Sequence, residues 1–187
     1  MIKNNLILNS VYTLIIVSFF GCNNQNSNEE NEILITKAVI EKFLNNPSNN
    51  FYTNCIYQKT LPIVFNKEEN LEQVKKVLNL NNNFNTEVKK SENFIIPDTL
   101  FHKLNIITQK KIDSLEAIQP PKNRRTIYNE LDCPDGLLSV TKPIFNSNKT
   151  KAFISLYFTC SGICEEKGMF LLNLENNSWV IKQKLDD

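Results

Sequence analysis

The sequence predicts an α+β domain in which N-terminal helices precede a C-terminal four-stranded antiparallel meander. Two stretches, 32–45 and about 67–80, carry apolar residues near the helical period. Four strand-like runs then follow one another from Leu137 onward, separated by turn residues. Helices first and strands last is the order of an α+β chain rather than of alternating βα units.

Taken in order, the first helix draws its stripe from Ile33, Leu34, Val39, Ile40, Phe43 and Leu44, and Asn45, Asn46 and Pro47 end it. The second spans about Lys67 to Leu80, with Leu71, Val74, Val77 and Leu78 on one side and Asn81 to Asn83 as its stop. A short third helix is expected over Gln109 to Ile118, before Pro120 and Pro121. The intervening Ile56 to Phe65 and Phe94 to Ile107 are apolar without a clear period and are read as extended.

The strand runs are Leu137 to Phe145, Lys151 to Cys160, Gly168 to Glu175 and Ser178 to Leu185. NSNKT closes the first pair, and Asn176 with Asn177 suits a two-residue turn that requires positive φ. In the second run Ala152, Ile154, Leu156, Phe158 and Cys160 alternate with Phe153, Ser155, Tyr157 and Thr159. In the fourth, Trp179, Ile181 and Leu185 oppose Val180, Lys182 and Lys184. Such alternation predicts one core face and one wetter face. Trp179, Ile181, Phe158, Leu156 and Ile154 are expected to point inward.

Composition narrows the function. Of 187 residues, 41% are hydrophobic and 22% charged, with 21 Lys+Arg against 20 Asp+Glu, the profile of an ordinary globular chain. A net charge of +1 without a basic stripe argues against a nucleic-acid partner. With Gly at only 4, Gly-rich phosphate loops are nearly excluded.

The N-terminus reads as an address. Lys3 opens a short basic region, and an apolar run follows from Leu6 to Phe20, broken by Asn9, Ser10 and Thr13. It is shorter than the roughly 20 residues a bilayer-spanning helix needs, and fits a secretory signal. The sequence SFFGC after it, with Gly21 before Cys22, resembles the lipobox of bacterial lipoproteins. That resemblance implies a signal peptide over 1–21, a cut before Cys22, and lipid on the Cys22 sulfur and freed amine. Residues 22–32 then form the lipidated cysteine and a flexible polar tether, NNQNSNEENE. Glu29, Glu30 and Glu32 resemble the surface-export signals of some Bacteroidota lipoproteins. Residues 33–187 are left for a single domain of about 155 residues, long enough to bury roughly 70% of its surface.

The C-terminal stretch supplies Phe145, Asn146, Lys149, Thr150, Ala152, Cys160, Gly162, Cys164, Gly168 and Trp179 in an order that resembles small Bacteroidota lipoproteins with a Cys-x3-Cys loop and a terminal Trp hairpin. The resemblance covers about 50 residues. It implies a fold and no activity.

With Cys22 assigned to lipid, Cys55, Cys133, Cys160 and Cys164 form an even set that allows three pairings. Cys160 and Cys164 flank Ser161-Gly162-Ile163, so a tight loop brings them together, and Cys55 and Cys133 pair by exclusion. The loop carrying Ser161, Ile163, Glu165 and Glu166 is then the candidate partner-binding element. A redox-active thiol pair is the sharper alternative, but thiol oxidoreductases use Cys-x-x-Cys at a helix N-terminus. A four-thiolate zinc site would need reduced cysteines.

A Cys-His or Ser-His enzyme would have to use His102, the single histidine. Asp132, Asp135, Glu165 and Glu166 lie near cysteines in turns, without a calcium-loop pattern. The reading is a non-enzymatic, lipid-anchored envelope protein, in the outer membrane on its periplasmic face or at the surface. Its expected role in the envelope is binding or structural, without cofactor or metal, and its expected partner is an envelope protein or a small ligand. The alternative is an exported enzyme using a thiol pair or carboxylates.

Overall fold

Apolar spacing and chain breakers set the helices. The computed structural model describes residues 27–46, 53–81, 84, 94–118, 124–160, 162 and 164–186. Helix α1 (Asn28–Leu44) buries Ile35, Val39, Ile40 and Phe43, while Leu34 lies on its outer side. Helix α2 (Glu68–Leu78) buries Val74 and Leu78 and ends at Asn79 rather than at the later asparagines. Asn79 takes the left-handed conformation, φ 53°, and its N–H reaches the Lys75 and Lys76 carbonyls, a cap that Asn tolerates well. Helix α3 (Gln109–Ile118) has the expected bounds. Helix α4 (Arg124–Glu130), which has no counterpart in the sequence reading, follows it.

α1 begins upstream of the expected Glu32, so Asn28 to Glu32, read from composition as tether, are helical. Asn31 and Glu32 are buried because each has a partner: the Trp179 Nε1–H donates to Asn31 Oδ1 at 3.1 Å, and Lys142 Nζ lies 3.5 Å from Glu32. Polarity alone does not mark a solvated segment when the polar groups are satisfied on folding.

Seven strands form one sheet: β1 (Cys55–Tyr57), β2 (Asn105–Ile107), β3 (Leu137–Val140), β4 (Ile144–Phe145), β5 (Lys151–Thr159), β6 (Glu165–Glu175) and β7 (Ser178–Leu185). The order is β2-β1-β3-β5-β6-β7, with β4 also paired to β5. The α+β class holds, but the meander is corrected to a mixed sheet. β3, β5, β6 and β7 are antiparallel, whereas β1 runs parallel to both β2 and β3. The strands β1 and β2 lie in the two apolar stretches that lacked a period, because a three-residue strand is too short to display one.

The expected single run from Leu137 to Phe145 is split. Val140 pairs with Leu156 and Ile144 with Phe153, so one extra residue is accommodated at Lys142–Pro143. Pro143 has no N–H to give the ladder. The Asn176–Asn177 turn has φ 49° and 60°, the positive values a two-residue hairpin needs. At Gly136, φ 137°, an added Cβ would lie 2.6 Å from the Thr159 carbonyl, so a side chain there meets both strain and backbone.

Both faces of the sheet are covered, which corrects the expected wetter face. α1 packs on one face, against Ile56, Leu138, Val140, Ile154, Leu156, Phe158, Leu172 and Trp179. On the other, α2 residues meet Phe153, Met169, Leu171 and Leu185. A separate cluster holds Cys55, Tyr57, Ile107, Tyr128, Leu131, Cys133 and Leu137, with Ile112 and Leu115 of α3 against it. Residues Asn31–Asp187 make up a compact unit.

Candidate functional site

A groove of about 650 Å³ opens where β5 and β6 meet the segment following β1. Leu61, Pro62, Val64 and Asn66 form one wall, Tyr157 contributes from β5, and Glu165, Glu166 and Lys167 contribute from the start of β6. The wall is held by the Leu61 N–H, which donates to the Val140 carbonyl at 2.8 Å, and by a parallel bridge between Leu61 and Thr141.

Register brings the polar groups together. Tyr157 pairs directly with Lys167, whose Nζ sits 5.8 Å from the centre of the tyrosine ring and donates to the Val64 carbonyl at 3.0 Å. Lys167 thereby ties the wall to the sheet. Glu166 pairs with Phe158, and its carboxylate lies 3.6 Å from Lys184 Nζ on the neighbouring strand β7. Glu165 is exposed at the mouth, and no ion-pair partner faces it among the described residues. On the groove face of β6, Glu165 and Lys167 therefore supply one carboxylate and one ammonium, while the Glu166 side chain alternates to the face that carries Phe158 and Lys184.

The disulfides frame this end of the sheet. Cys160 and Cys164 are bridged, with Cα atoms 5.4 Å apart. The Cys160 N–H donates to the Cys164 carbonyl at 3.2 Å, and the Cys164 N–H to Cys160 Sγ at 3.1 Å. Glu165 starts β6 immediately after the bridge, opposite Thr159. Cys55 and Cys133 are also bridged, Cα to Cα 5.8 Å, and both are fully buried. That second bridge links β1 to the turn after α4.

Cys22, with its lipobox, and Ser161 and Ile163 of the proposed loop lie outside the described residues. Glu165 and Glu166, expected on that loop, are instead the first residues of β6, because the β5–β6 ladder continues to the bridge. His102 is exposed in a turn, and Asp132 and Asp135 are exposed beside buried Cys133. Among the described residues no three His, Cys, Asp or Glu side chains converge as a metal-ligating group. Sequence reasoning missed Leu61, Val64, Tyr157 and Lys167 as site residues. The available signal was Tyr157 on the less apolar face of its strand; the wall, distant in sequence, gave none.

No protein-family model, curated protein or solved structure matches this chain. The groove is read from its own chemistry: an apolar wall, a lysine spent on structure and one acid, Glu165, at the rim with no ion-pair partner among the described residues.

Proposed function

We propose that the protein is an exported lipoprotein, anchored in the cell envelope by lipid on Cys22, whose domain acts by binding an envelope protein or small ligand. Cysteine arithmetic carries this reading. Four of the five cysteines are bridged in two pairs, as in chains that fold in an oxidising compartment. The fifth, Cys22, closes the N-terminal apolar run behind Gly21. Among the described residues no helix is long and apolar enough to cross a membrane. Attachment through lipid requires more than one acyl chain to be stable, which a diacylglyceryl group with an acylated amine satisfies.

The outer membrane is the proposed location. Glu29 and Glu30 are exposed and suit an accessible export signal near the anchor, whereas Glu32 is engaged by Lys142. The groove, open and edged by charge, supports binding as the domain's role.

Mass spectrometry of the N-terminal peptide tests the anchor, with acyl mass expected on Cys22 as the first residue. The Cys22→Ser chain should move from the membrane fraction to the soluble one. An unacylated mature N-terminus would overturn the reading.

A further inference from the structure

We infer that the groove takes a primary ammonium group carried on an aliphatic stem, with Glu165 as its anionic contact. The inference rests on the binding reading above and names ligand chemistry for the same groove. Its volume, about 650 Å³, lies within the range of roughly 300–1,000 Å³ that ligand sites occupy. Leu61, Pro62 and Val64 offer an apolar wall, and Val64 is 53% exposed despite its size.

The sign of the ligand charge follows from how the lining charges are used. Glu166 faces Lys184, and Lys167 reaches the Val64 carbonyl while lying over the Tyr157 ring. Glu165 is the lining charge with no ion-pair partner among the described residues. An incoming anion would meet the Glu165 carboxylate beside one ammonium that is already engaged, whereas a cation would give Glu165 its missing partner. Lys167 Nζ lies 5.8 Å from the centre of the Tyr157 ring, so a quaternary ammonium or a flat aromatic cation would have to compete with it for that face. A saturated stem along Leu61–Val64 with its ammonium at Glu165 matches what remains. A lysine side chain of a partner polypeptide and a free alkylamine share this chemistry.

Calorimetric titration of the full chain, purified in detergent, tests it with three probes: acetyl-Ala-Lys-Ala-amide, n-butylamine and butyrate, at low and raised salt. Saturable binding of the ammonium probes is expected, weakened by raised salt and reduced about fivefold by E165Q, the upper end for an exposed ion pair. V64A should weaken both ammonium probes. Glu165 is exposed, so E165Q should keep the unfolding midpoint of the parent. Tighter binding of the peptide identifies a polypeptide lysine as the source; equal binding identifies a small amine. Failure of both ammonium probes to saturate, equal binding of butyrate, or unchanged affinity in E165Q overturns the inference. Such a failure with acyl mass still found on Cys22 leaves the anchored-lipoprotein reading in place, so the two are separable.

Discussion

Trp179 joins the two ends of the described chain. Its indole is 7% exposed, meets Phe145 edge to face at 5.8 Å, and donates to Asn31 at the start of α1. Trp179→Ala should cost roughly 3–5 kcal/mol in chemical unfolding, because a large buried ring leaves a cavity. Asn31→Ala should cost about 1–3 kcal/mol by leaving a buried N–H unpaired. A loss in the first variant without any loss in the second would separate packing from the hydrogen bond. The inward position of Trp179 was readable from its strand alternation. Its partner was not, since nothing in NSNEENE distinguishes a buried asparagine from a solvated one. Asn146 shows the same limit: its Oδ1 accepts from the Thr150 and Lys151 N–H groups at 2.9 Å each, bonds that shape the β4–β5 turn.

Strand β7 has the expected bounds, yet its side chains do not keep one alternation. Leu172 pairs with Ile181 and Leu171 with Gln183, so Lys182 is an extra residue in a bulge. Trp179 and Ile181 therefore join the α1 face, while Leu185 joins the α2 face with Met169 and Leu171. This corrects the grouping of Leu185 with Trp179. A one-residue deletion normally turns every following side chain to the wrong face. Deleting Lys182 should instead straighten the ladder and leave the burial of Leu185 intact. The surface pair Lys182–Glu175, 2.8 Å, would be lost, so the change in unfolding free energy should stay within about 1 kcal/mol. Deleting Val180, which lies between two residues of one face, should destabilise far more. The bulge and two lysines on β7 also make this sheet-edge strand a poor template for further strand pairing.

Across the whole molecule the two disulfides act on different scales. Cys55 and Cys133 are separated by 78 positions, and Cys160 and Cys164 by 4. The chain-entropy estimate gives roughly 4.5 kcal/mol for the long loop and roughly 2 kcal/mol for the short one. Replacing the Cys55–Cys133 pair by serines should thus lower the unfolding midpoint much more than replacing Cys160–Cys164. Both variants can be compared directly by urea unfolding. The long bridge ties parallel strand β1 to the chain entering β3, its partner in the mixed part of the sheet.

The α+β class, the extents of α3 and β7, the positions of the antiparallel strands and the Asn176–Asn177 turn are all legible in the order of the amino acids. These follow from local periodicity and turn chemistry, which act over a few residues. The parallel entry of β1 and β2 into the sheet, the covering of both sheet faces and the burial of Asn31 and Glu32 arise from packing between distant segments. The groove arises in the same way: its wall at Leu61–Asn66 and rim at Glu165–Lys167 meet across about a hundred residues of chain, as the Lys167 bond to Val64 records. Pairing between distant segments depends on what each can bury and satisfy against the other, and that complementarity has no period to read in either one alone.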